Sequence, residues 1–247
     1  MHPTLLEPLP GFLILELTTR CNLKCLYCAV SQPGYIGRDL QVDMPATLEA
    51  IRELGVGEVQ LSAHGEATLV PGWHDIARAL EDAGLRVLLT TNLSKRFSPE
   101  ELAAFARMQT IAVSIDTVNP ELFARLRRPA RFERLCENLA HLRAHIPARG
   151  AARPYLAVNC TVSEHVIDGL SDLVRWAARE EFDAVSLVNL VVYPTVDPEF
   201  PVRHPARVDP ARATARIDEA QALAHQLGLA FNVMEGLRTA LAEARES

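Results

Sequence analysis

Three cysteines, Cys21, Cys25 and Cys28, lie in one short segment and form a C-x3-C-x2-C pattern. The segment follows an apolar run, residues 12–17, that is typical of a buried strand. Cysteine thiolates bind zinc and the iron of iron–sulfur clusters. Three thiolates without a fourth hold a four-iron cluster by three corners and leave one iron open to a substrate or cofactor. The pattern therefore predicts an iron–sulfur site that does chemistry at its open iron.

Two other kinds of metal protein remain alternatives for the same cysteines. Structural zinc sites have four ligands and usually carry paired C-x2-C units, so a zinc-stabilised binding module would need His64 or His74 as a further ligand. Bacterial ferredoxins transfer electrons and hold each cluster with four thiolates in a different spacing. A non-catalytic or electron-transfer iron–sulfur protein is thus the second alternative to an enzyme.

The cysteine segment resembles the C-x3-C-x-aromatic-C pattern of the radical S-adenosylmethionine (SAM) enzymes. Tyr27 occupies the aromatic position, and Thr18, Thr19 and Arg20 lead into the segment as residues of these types commonly do in that family. In the family this pattern follows the first strand of a partial β/α barrel. The position of the three cysteines after residues 12–17 agrees with that placement.

A second segment, residues 62–68, resembles the Gly-Gly-Glu-Pro motif of the same family, which holds the amino group of SAM. Gly65 and Glu66 match the motif, whereas His64 replaces the first glycine and Ala67 replaces the proline. A carboxylate beside an ammonium group forms a charge-assisted hydrogen bond, and glycine lets a backbone approach its ligand. His64 is a candidate for substrate contact or proton transfer, with local packing as the alternative.

A third segment, residues 111–117, resembles the Ser-x-Asp strand of the family through Ser114 and Asp116. Asn92 fits a polar position at the end of the third predicted strand, with a turn-forming asparagine as the alternative. Arg127 is favoured among nearby arginines to pair with the SAM carboxylate. The cofactor-binding residues implied by the resemblance are Tyr27, Gly65, Glu66, Asn92, Ser114, Asp116, Arg127 and Asn159.

The resemblance implies a radical enzyme with two cofactors, one 4Fe-4S cluster and SAM. Cys21, Cys25 and Cys28 would hold the cluster, and its fourth iron would bind the amino and carboxylate groups of SAM. Reductive cleavage of SAM would give a 5'-deoxyadenosyl radical that takes a hydrogen atom from a small-molecule or peptide substrate. The implied partner is an external one-electron reductant of flavodoxin or ferredoxin type.

The remaining cysteines bear on the outcome of the reaction. No cysteine follows Cys160, whereas peptide-modifying relatives with auxiliary clusters carry a cysteine-rich C-terminal extension. With one cluster, we expect a redox-neutral rearrangement, elimination or epimerisation. Oxidative modification of a peptide with a separate partner is the alternative. Cys136 and Cys160 are interpreted as small buried hydrophobic residues, and hydrogen-atom donation by either stays open.

The chain alternates short apolar runs with amphipathic stretches, which is typical of repeated βα units around a parallel sheet. We predict an α/β fold, a partial (β/α)6-type TIM-like barrel that is open on one side, as a single domain over residues 1–247. Its core units span about 12–191, followed by a Pro-rich loop at 192–210 and a helix, weak strand and helix at 211–247. The predicted strands are 12–17, 58–63, 86–91, 110–116, 154–162, 183–191 and a weaker one at 229–233.

Composition excludes several other functions. The formal net charge is -6 and no basic run occurs, which argues against a nucleic-acid surface. No apolar span long enough for a membrane helix and no signal segment is evident, so we expect a cytoplasmic protein without membrane contact. Five cysteines, three of them clustered, do not form a disulfide framework in a chain of 247 residues.

Overall fold

The computed structural model describes residues 11–146, 153–194 and 196–246. The remaining positions of the predicted domain, 1–10, 147–152, 195 and 247, lie outside the described residues. Within the described ranges the strands are β1 (Phe12–Ile14), β2 (Lys24–Cys25), β3 (Glu58–Gln60), β4 (Arg86–Thr91), β5 (Thr110–Ser114), β6 (Arg127–Arg128), β7 (Tyr155–Thr161), β8 (Ala184–Val188) and β9 (Ala230–Val233). The α-helices are α1 (Met44–Glu53), α2 (Trp73–Asp82), α3 (Pro99–Phe105), α4 (Pro120–Leu126), α5 (Phe132–His145), α6 (Leu170–Arg179), α7 (Pro210–Gln226) and α8 (Glu235–Glu246).

Seven of the strands form one parallel sheet in the order β1-β3-β4-β5-β7-β8-β9. The strands β1 and β9 are its two edges and do not pair with each other, so the sheet stays open. This confirms the predicted α/β fold, and the weak seventh strand is present as β9. Several strands end earlier than predicted, although Leu15, Leu61 and Ile115, which directly follow β1, β3 and β5, still donate their backbone N–H to a neighbouring strand.

The sheet buries one face and leaves the other partly exposed. Val59, Val113, Val158 and Val185 are fully buried on the face that packs against the helices, where α2, α6 and α7 contact β4, β8 and β9. The opposite, concave face carries residues that are mostly half-exposed. We call this concave face the lumen. Successive side chains along each strand point to opposite faces of the sheet. Buried apolar residues therefore alternate with the half-exposed residues of the lumen.

Local signals in the sequence place the helix ends. Asp43 accepts a hydrogen bond from the backbone of Ala46 at the start of α1, and Ser98 and Glu101 form a reciprocal capping box at α3. Leu54, which continues the apolar spacing of Leu48 and Ile51, lies just past the end of α1 and is 47% exposed. None of the described helices is long and apolar enough to cross a bilayer.

In the Pro-rich segment predicted at 192–210, described residues that precede α7 lie against the mouth of the barrel. Phe200 lies between Arg125, whose guanidinium is 4.0 Å from the ring centroid, and His165, whose ring stacks on it at 4.0 Å. Asp197 forms an ion pair of 3.6 Å with Arg128. The loop also borders a small cavity together with Leu26 and Tyr27 of the cysteine segment, so it lies beside the predicted cluster site.

Candidate active site

The predicted site residues gather where the parallel strands end. The three cysteines follow β1, Gly65 and Glu66 follow β3, and Asn92 follows β4. Ser114 ends β5, with Asp116 two residues later, and Asn159 lies in the second half of β7. Carboxyl ends of parallel strands share one edge of a barrel, which is where active sites of such folds are built.

The cluster loop, residues 21–28, is fixed by backbone pairing to the end of α4. Cys25 in β2 pairs with Arg127 in β6, and the backbone N–H of Leu26 donates to the carbonyl of Leu126 at 2.9 Å. Cys25 is buried, whereas Cys21 and Cys28 are half-buried. All three thiols are free of disulfides, which leaves them available to metal.

Hydrogen-bond donors already point at one of the sulfurs. The backbone N–H of Leu23 lies 3.4 Å from Sγ of Cys21, and Nδ2 of Asn92 lies 3.7 Å from the same atom. Burial raises the pKa of Cys21 and raises that of Cys25 to about 12. Without metal, the thiols of Cys21 and Cys25 therefore keep their protons near neutral pH, and they must release these protons when they bind metal. Three free thiols with N–H donors aimed at sulfur fit an iron–sulfur cluster.

A single-ion site of the kind that zinc requires is not seen in the described ranges. There, no group of three or more His, Cys, Asp or Glu side chains, the three cysteines included, is arranged to hold a metal ion. His74, one of the two histidines considered for zinc, lies on α2 beside Trp73. The ring of His64, the other, is 59% exposed and sits 3.5 Å from Oε1 of Glu16, so its proposed catalytic role stays a prediction.

The carboxylate of Glu66 is buried and fully hydrogen-bonded within the protein. Oε1 accepts from the hydroxyls of Thr68 and Thr91 at 2.7 and 2.9 Å and, more weakly, from the Thr68 backbone at 3.4 Å. Oε2 accepts from the backbone N–H of Asn92 at 2.7 Å. Burial raises the pKa of Glu66. Its side chain ties the loop after β3 to the end of β4, and sequence alone showed none of these partners.

Gly65 is required by the approach of another part of the backbone. A Cβ at this position would lie 2.0 Å from the carbonyl oxygen of Thr18 and 2.7 Å from that of Arg20. The next residue, Glu66, donates its backbone N–H to the same Arg20 carbonyl at 2.8 Å. The segment that enters the cluster loop therefore lies directly on the loop after β3. The sequence predicted a glycine here because a ligand would approach the backbone. In the structure, the group that approaches Gly65 is the backbone of Thr18 and Arg20.

Tyr27, Asp116 and Arg127 contact one another. The guanidinium of Arg127 donates through Nε and Nη2 to the two oxygens of Asp116 at 2.8 and 2.7 Å, and the Tyr27 hydroxyl donates to Oδ2 of the same carboxylate. Arg127 and Asp116 are 6% and 2% exposed. Burial opposes the charge on Arg127, but Asp116 outweighs it and raises the pKa of Arg127 well above its ordinary value.

This group, which we call the Asp116 lock, connects the cluster loop to two strand ends. Thr161 at the end of β7 donates its backbone N–H to Oδ1 of Asp116 at 2.9 Å. Arg127 lies in β6, directly past the end of α4. The lock uses Nε and Nη2 of Arg127 and both oxygens of Asp116 internally. These residues therefore shape the site, and a direct contact of either with SAM stays a prediction.

Asn92 is likewise committed to the cluster loop. Its Nδ2 donates to Oδ1 of Asn22 at 2.9 Å, and its Oδ1 accepts from the backbone and the hydroxyl of Ser94 at 3.0 and 2.6 Å. By contrast, the side chains of Ser114 and Asn159 form no hydrogen bond with any described residue and are half-buried. Together with Nη1 of Arg127, which forms no hydrogen bond with a described residue, these two side chains have polar groups left for a ligand.

Comparison with known proteins places this arrangement in a family. The Radical SAM superfamily model matches residues 15–157. A GTP 3',8-cyclase of Streptomyces coelicolor is 30% identical over 180 residues, which cover 68% of this chain and 50% of that protein. An AdoMet-dependent heme synthase of Methanosarcina barkeri is 31% identical over 192 residues, 75% of this chain and 52% of that protein. The chain thus spans about half the length of these relatives.

Solved structures support the same fold. Streptococcus suis SuiB bound to S-adenosylmethionine superposes with a TM-score of 0.74 at 18% identity, covering 96% of this chain and 53% of that one. SuiB bound to its precursor peptide SuiA matches with a TM-score of 0.71 at 18% identity, over 96% of this chain and 52% of that one. This chain belongs to the radical SAM superfamily.

Proposed function

We propose that the protein holds one 4Fe-4S cluster through Cys21, Cys25 and Cys28, binds SAM at the open iron, and takes a hydrogen atom from a small-molecule or peptide substrate. The proposal depends mainly on one arrangement. The cluster loop is held against the strand ends, and the nearby side chains of Ser114 and Asn159 have no hydrogen-bond partner among the described residues. Family membership supports the same chemistry. The proposal includes an external one-electron reductant.

The protein's own residues act mainly by positioning. Asn92 and the Leu23 backbone donate toward the sulfur of Cys21, which stabilises a thiolate and tunes a bound cluster. Glu66 holds the end of β4 against the loop after β3. Ser114 and Asn159 offer a hydroxyl and an amide to polar groups of SAM. When bound, the cluster and SAM together supply the electron and the carbon radical that the chemistry requires.

The cysteine inventory supports a redox-neutral reaction on the substrate. Cys160 is fully buried on the helix-facing side of β7, and Cys136 lies on α5 away from the cluster loop. Neither adds a second cluster to the described part of the chain, so no second cluster there accepts an electron from a product radical. We therefore favour a redox-neutral rearrangement, elimination or epimerisation of the substrate over its oxidation.

The test is anaerobic reconstitution followed by iron and sulfide counting and incubation with dithionite and SAM. We expect about four irons per chain and release of 5'-deoxyadenosine. Cys25→Ala is expected to lose both. Cys136→Ala is the matched control, because it removes a half-buried thiol outside the cluster loop, and it should retain both. A loaded cluster that never cleaves SAM would instead support the electron-transfer alternative, and one colourless ion per chain would support zinc.

A further inference from the structure

Four polar side chains form a row across the lumen. In the sheet registers Ser114 pairs with Asn159, Asn159 with Ser186, and Ser186 with Asn232. Residues paired in this way share one face of a sheet. We call this set the polar row. It crosses four adjacent strands, β5, β7, β8 and β9, and only its first two members were expected from the sequence.

The row faces the lumen and not the helices. The residues that precede Ser114, Asn159 and Ser186 are Val113, Val158 and Val185, and all three valines are fully buried against the helices. Alternation along the strands turns the polar row to the opposite side. Its members are half-buried, except Asn232 at the sheet edge, which is exposed. The row is therefore reachable from the open side of the barrel.

Small residues lie under the polar row. Ala112, Ala157, Ala184 and Ala230 are paired in the same registers, two positions earlier on each strand. Closed TIM barrels fill this space with bulky branched side chains. Alanine carries a single methyl group, yet Ala157 and Ala184 are only 7% and 0% exposed, so the floor under the polar row is covered. A ligand group therefore reaches the polar row from the mouth of the barrel.

The hydrogen-bonding capacity of the row is mostly unused. Its one hydrogen bond among described side chains runs from Nδ2 of Asn232 to Oγ of Ser186, at 3.3 Å. Neither the polar row nor the alanine row beneath it contains a charged residue. A carboxylate or phosphate placed there would lose water without gaining a countercharge, which is costly. Asparagine and serine instead both donate and accept, as an amide does.

We propose that Ser186 and Asn232 form a substrate subsite for an uncharged amide, such as a peptide bond or a carboxamide, while Ser114 and Asn159 are left to the cofactor. The proposal rests on the proposed function, because it places the substrate group beside the SAM site in the same lumen. It narrows the substrate class to molecules that present a neutral amide to β8 and β9.

Binding of two matched probes tests the subsite. Propanamide carries an uncharged amide, and propanoate carries a carboxylate at the same position without any amide. Saturation-transfer NMR on the reconstituted full chain with SAM should show the amide binding more tightly than the acid. Asn232→Leu should weaken amide binding about five- to tenfold, the usual effect of removing a hydrogen-bonding group. Gln221→Leu, on the exposed side of α7, is the control and should leave it unchanged.

A variant that gains a new binding preference serves as a control for misfolding of Asn232→Leu. Asn232→Arg supplies a cation at the exposed sheet edge and should reverse the preference toward propanoate. Equal amide binding by the unsubstituted protein and Asn232→Leu would overturn the subsite, even with SAM cleavage intact. Failure of SAM cleavage with the Asn232 dependence preserved would overturn the proposed function alone. Cys25→Ala, which lacks the cluster, should still bind the amide probe.

Discussion

At the scale of single residues, Asp116 has more polar partners than its position in a Ser-x-Asp motif suggested. Its two oxygens accept from Arg127, Tyr27 and the backbone of Thr161, so one carboxylate joins β5, β6, β7 and the cluster loop. A buried ion pair of this kind adds little net stability by itself, but removing one partner leaves the other charge buried and uncompensated.

Asp116→Asn is therefore expected to be strongly destabilising. The substitution keeps the side-chain shape but leaves the Arg127 guanidinium buried without its countercharge. The free energy of unfolding of the metal-free protein should fall by about 3–5 kcal/mol, measured by urea denaturation.

The double variant Asp116→Leu/Arg127→Met is the matched control, since it removes both charges and should recover much of that loss. Wild-type stability in Asp116→Asn would show that Arg127 does not depend on this carboxylate. Arg127 would then be free to bind the SAM carboxylate, as the sequence predicts.

The polar residues at the strand ends were predictable from the sequence, but their hydrogen-bond and ion-pair partners were not. Ser114, Asp116 and Asn92 were recognisable because polar residues rarely end an apolar strand without a reason. That Asp116 pairs with Arg127, and that Asn92 reaches the cluster loop, depends on how distant segments meet. No local pattern in the chain carries that information, so the division between locking and ligand-binding residues needed the structure.

At the scale of elements, the loop after β3 and the entry to the cluster loop are packed backbone to backbone at Gly65. Gly65→Ala should force them apart, because a Cβ would lie 2.0 Å from a carbonyl oxygen that cannot rotate away. We expect a loss of about 2–4 kcal/mol in the free energy of unfolding, together with poor cluster loading, measured by denaturation and iron counting.

Gly57→Ala provides the comparison. Gly57 lies in the connection just before β3, and a Cβ there would meet no atom closer than 4.0 Å. Its cost should stay below about 1 kcal/mol, with normal iron content. Similar behaviour of the two variants would mean that the close approach at Gly65 does not hold the cluster loop.

A second prediction at this scale concerns α2 and pH. Glu81 has an 8% exposed side chain with Oε2 placed 3.1 Å from Nε of Arg107, and burial raises its pKa to about 6. The folded protein therefore holds this proton more tightly than the unfolded chain, so stability falls as pH rises from about 4.5 to 6. Glu81→Gln should be more stable at pH 7 by about 1 kcal/mol.

The difference should vanish below about pH 4.5, where the carboxyl group is protonated in both states. Urea denaturation at pH 4 and pH 7 measures it, with Glu53→Gln on the exposed side of α1 as the control. A constant difference across this range would contradict the assignment to the titration of Glu81.

Elements differ in how far the sequence reveals them. The caps at Asp43, Ser98 and Asn119 are local, so they were predictable and are present. The pairing of β2 with β6 joins two residues of each strand across about a hundred positions. A strand of two residues is too short to show a periodic pattern in the sequence. This ladder forms because the end of α4 lies beside the cluster loop.

At the scale of the whole molecule, the open sheet leaves the lumen accessible to the ligands proposed for it. The edges β1 and β9 do not pair, and Phe12 and Ile14 on the lumen side of β1 are 40% and 53% exposed. The parallel order was predictable from the alternation of strands and helices. The registers that align the polar row were not, because a register depends on how neighbouring strands pair rather than on either strand alone.

Most of the buried core lies outside the cluster loop, which contributes Leu23 and Cys25 to it. Buried residues run from Leu17 to Leu241 and pack the sheet against its helices, while the loop is fixed by the Asp116 lock and by Asn92 without metal. We therefore expect the metal-free protein to show the circular dichroism of an α/β fold and to unfold cooperatively on heating. Tight cluster binding should then raise Tm by about 5–10 °C.

The cysteine variants separate this stabilisation from general effects of reconstitution. Cys136→Ala should gain the same increase in Tm, whereas Cys25→Ala should gain none, because only the latter removes a residue of the cluster loop. An unfolded metal-free protein would contradict the expectation. It would place the cluster among the forces that fold the chain, as the metal does in a zinc finger, rather than in a site that the barrel forms in advance.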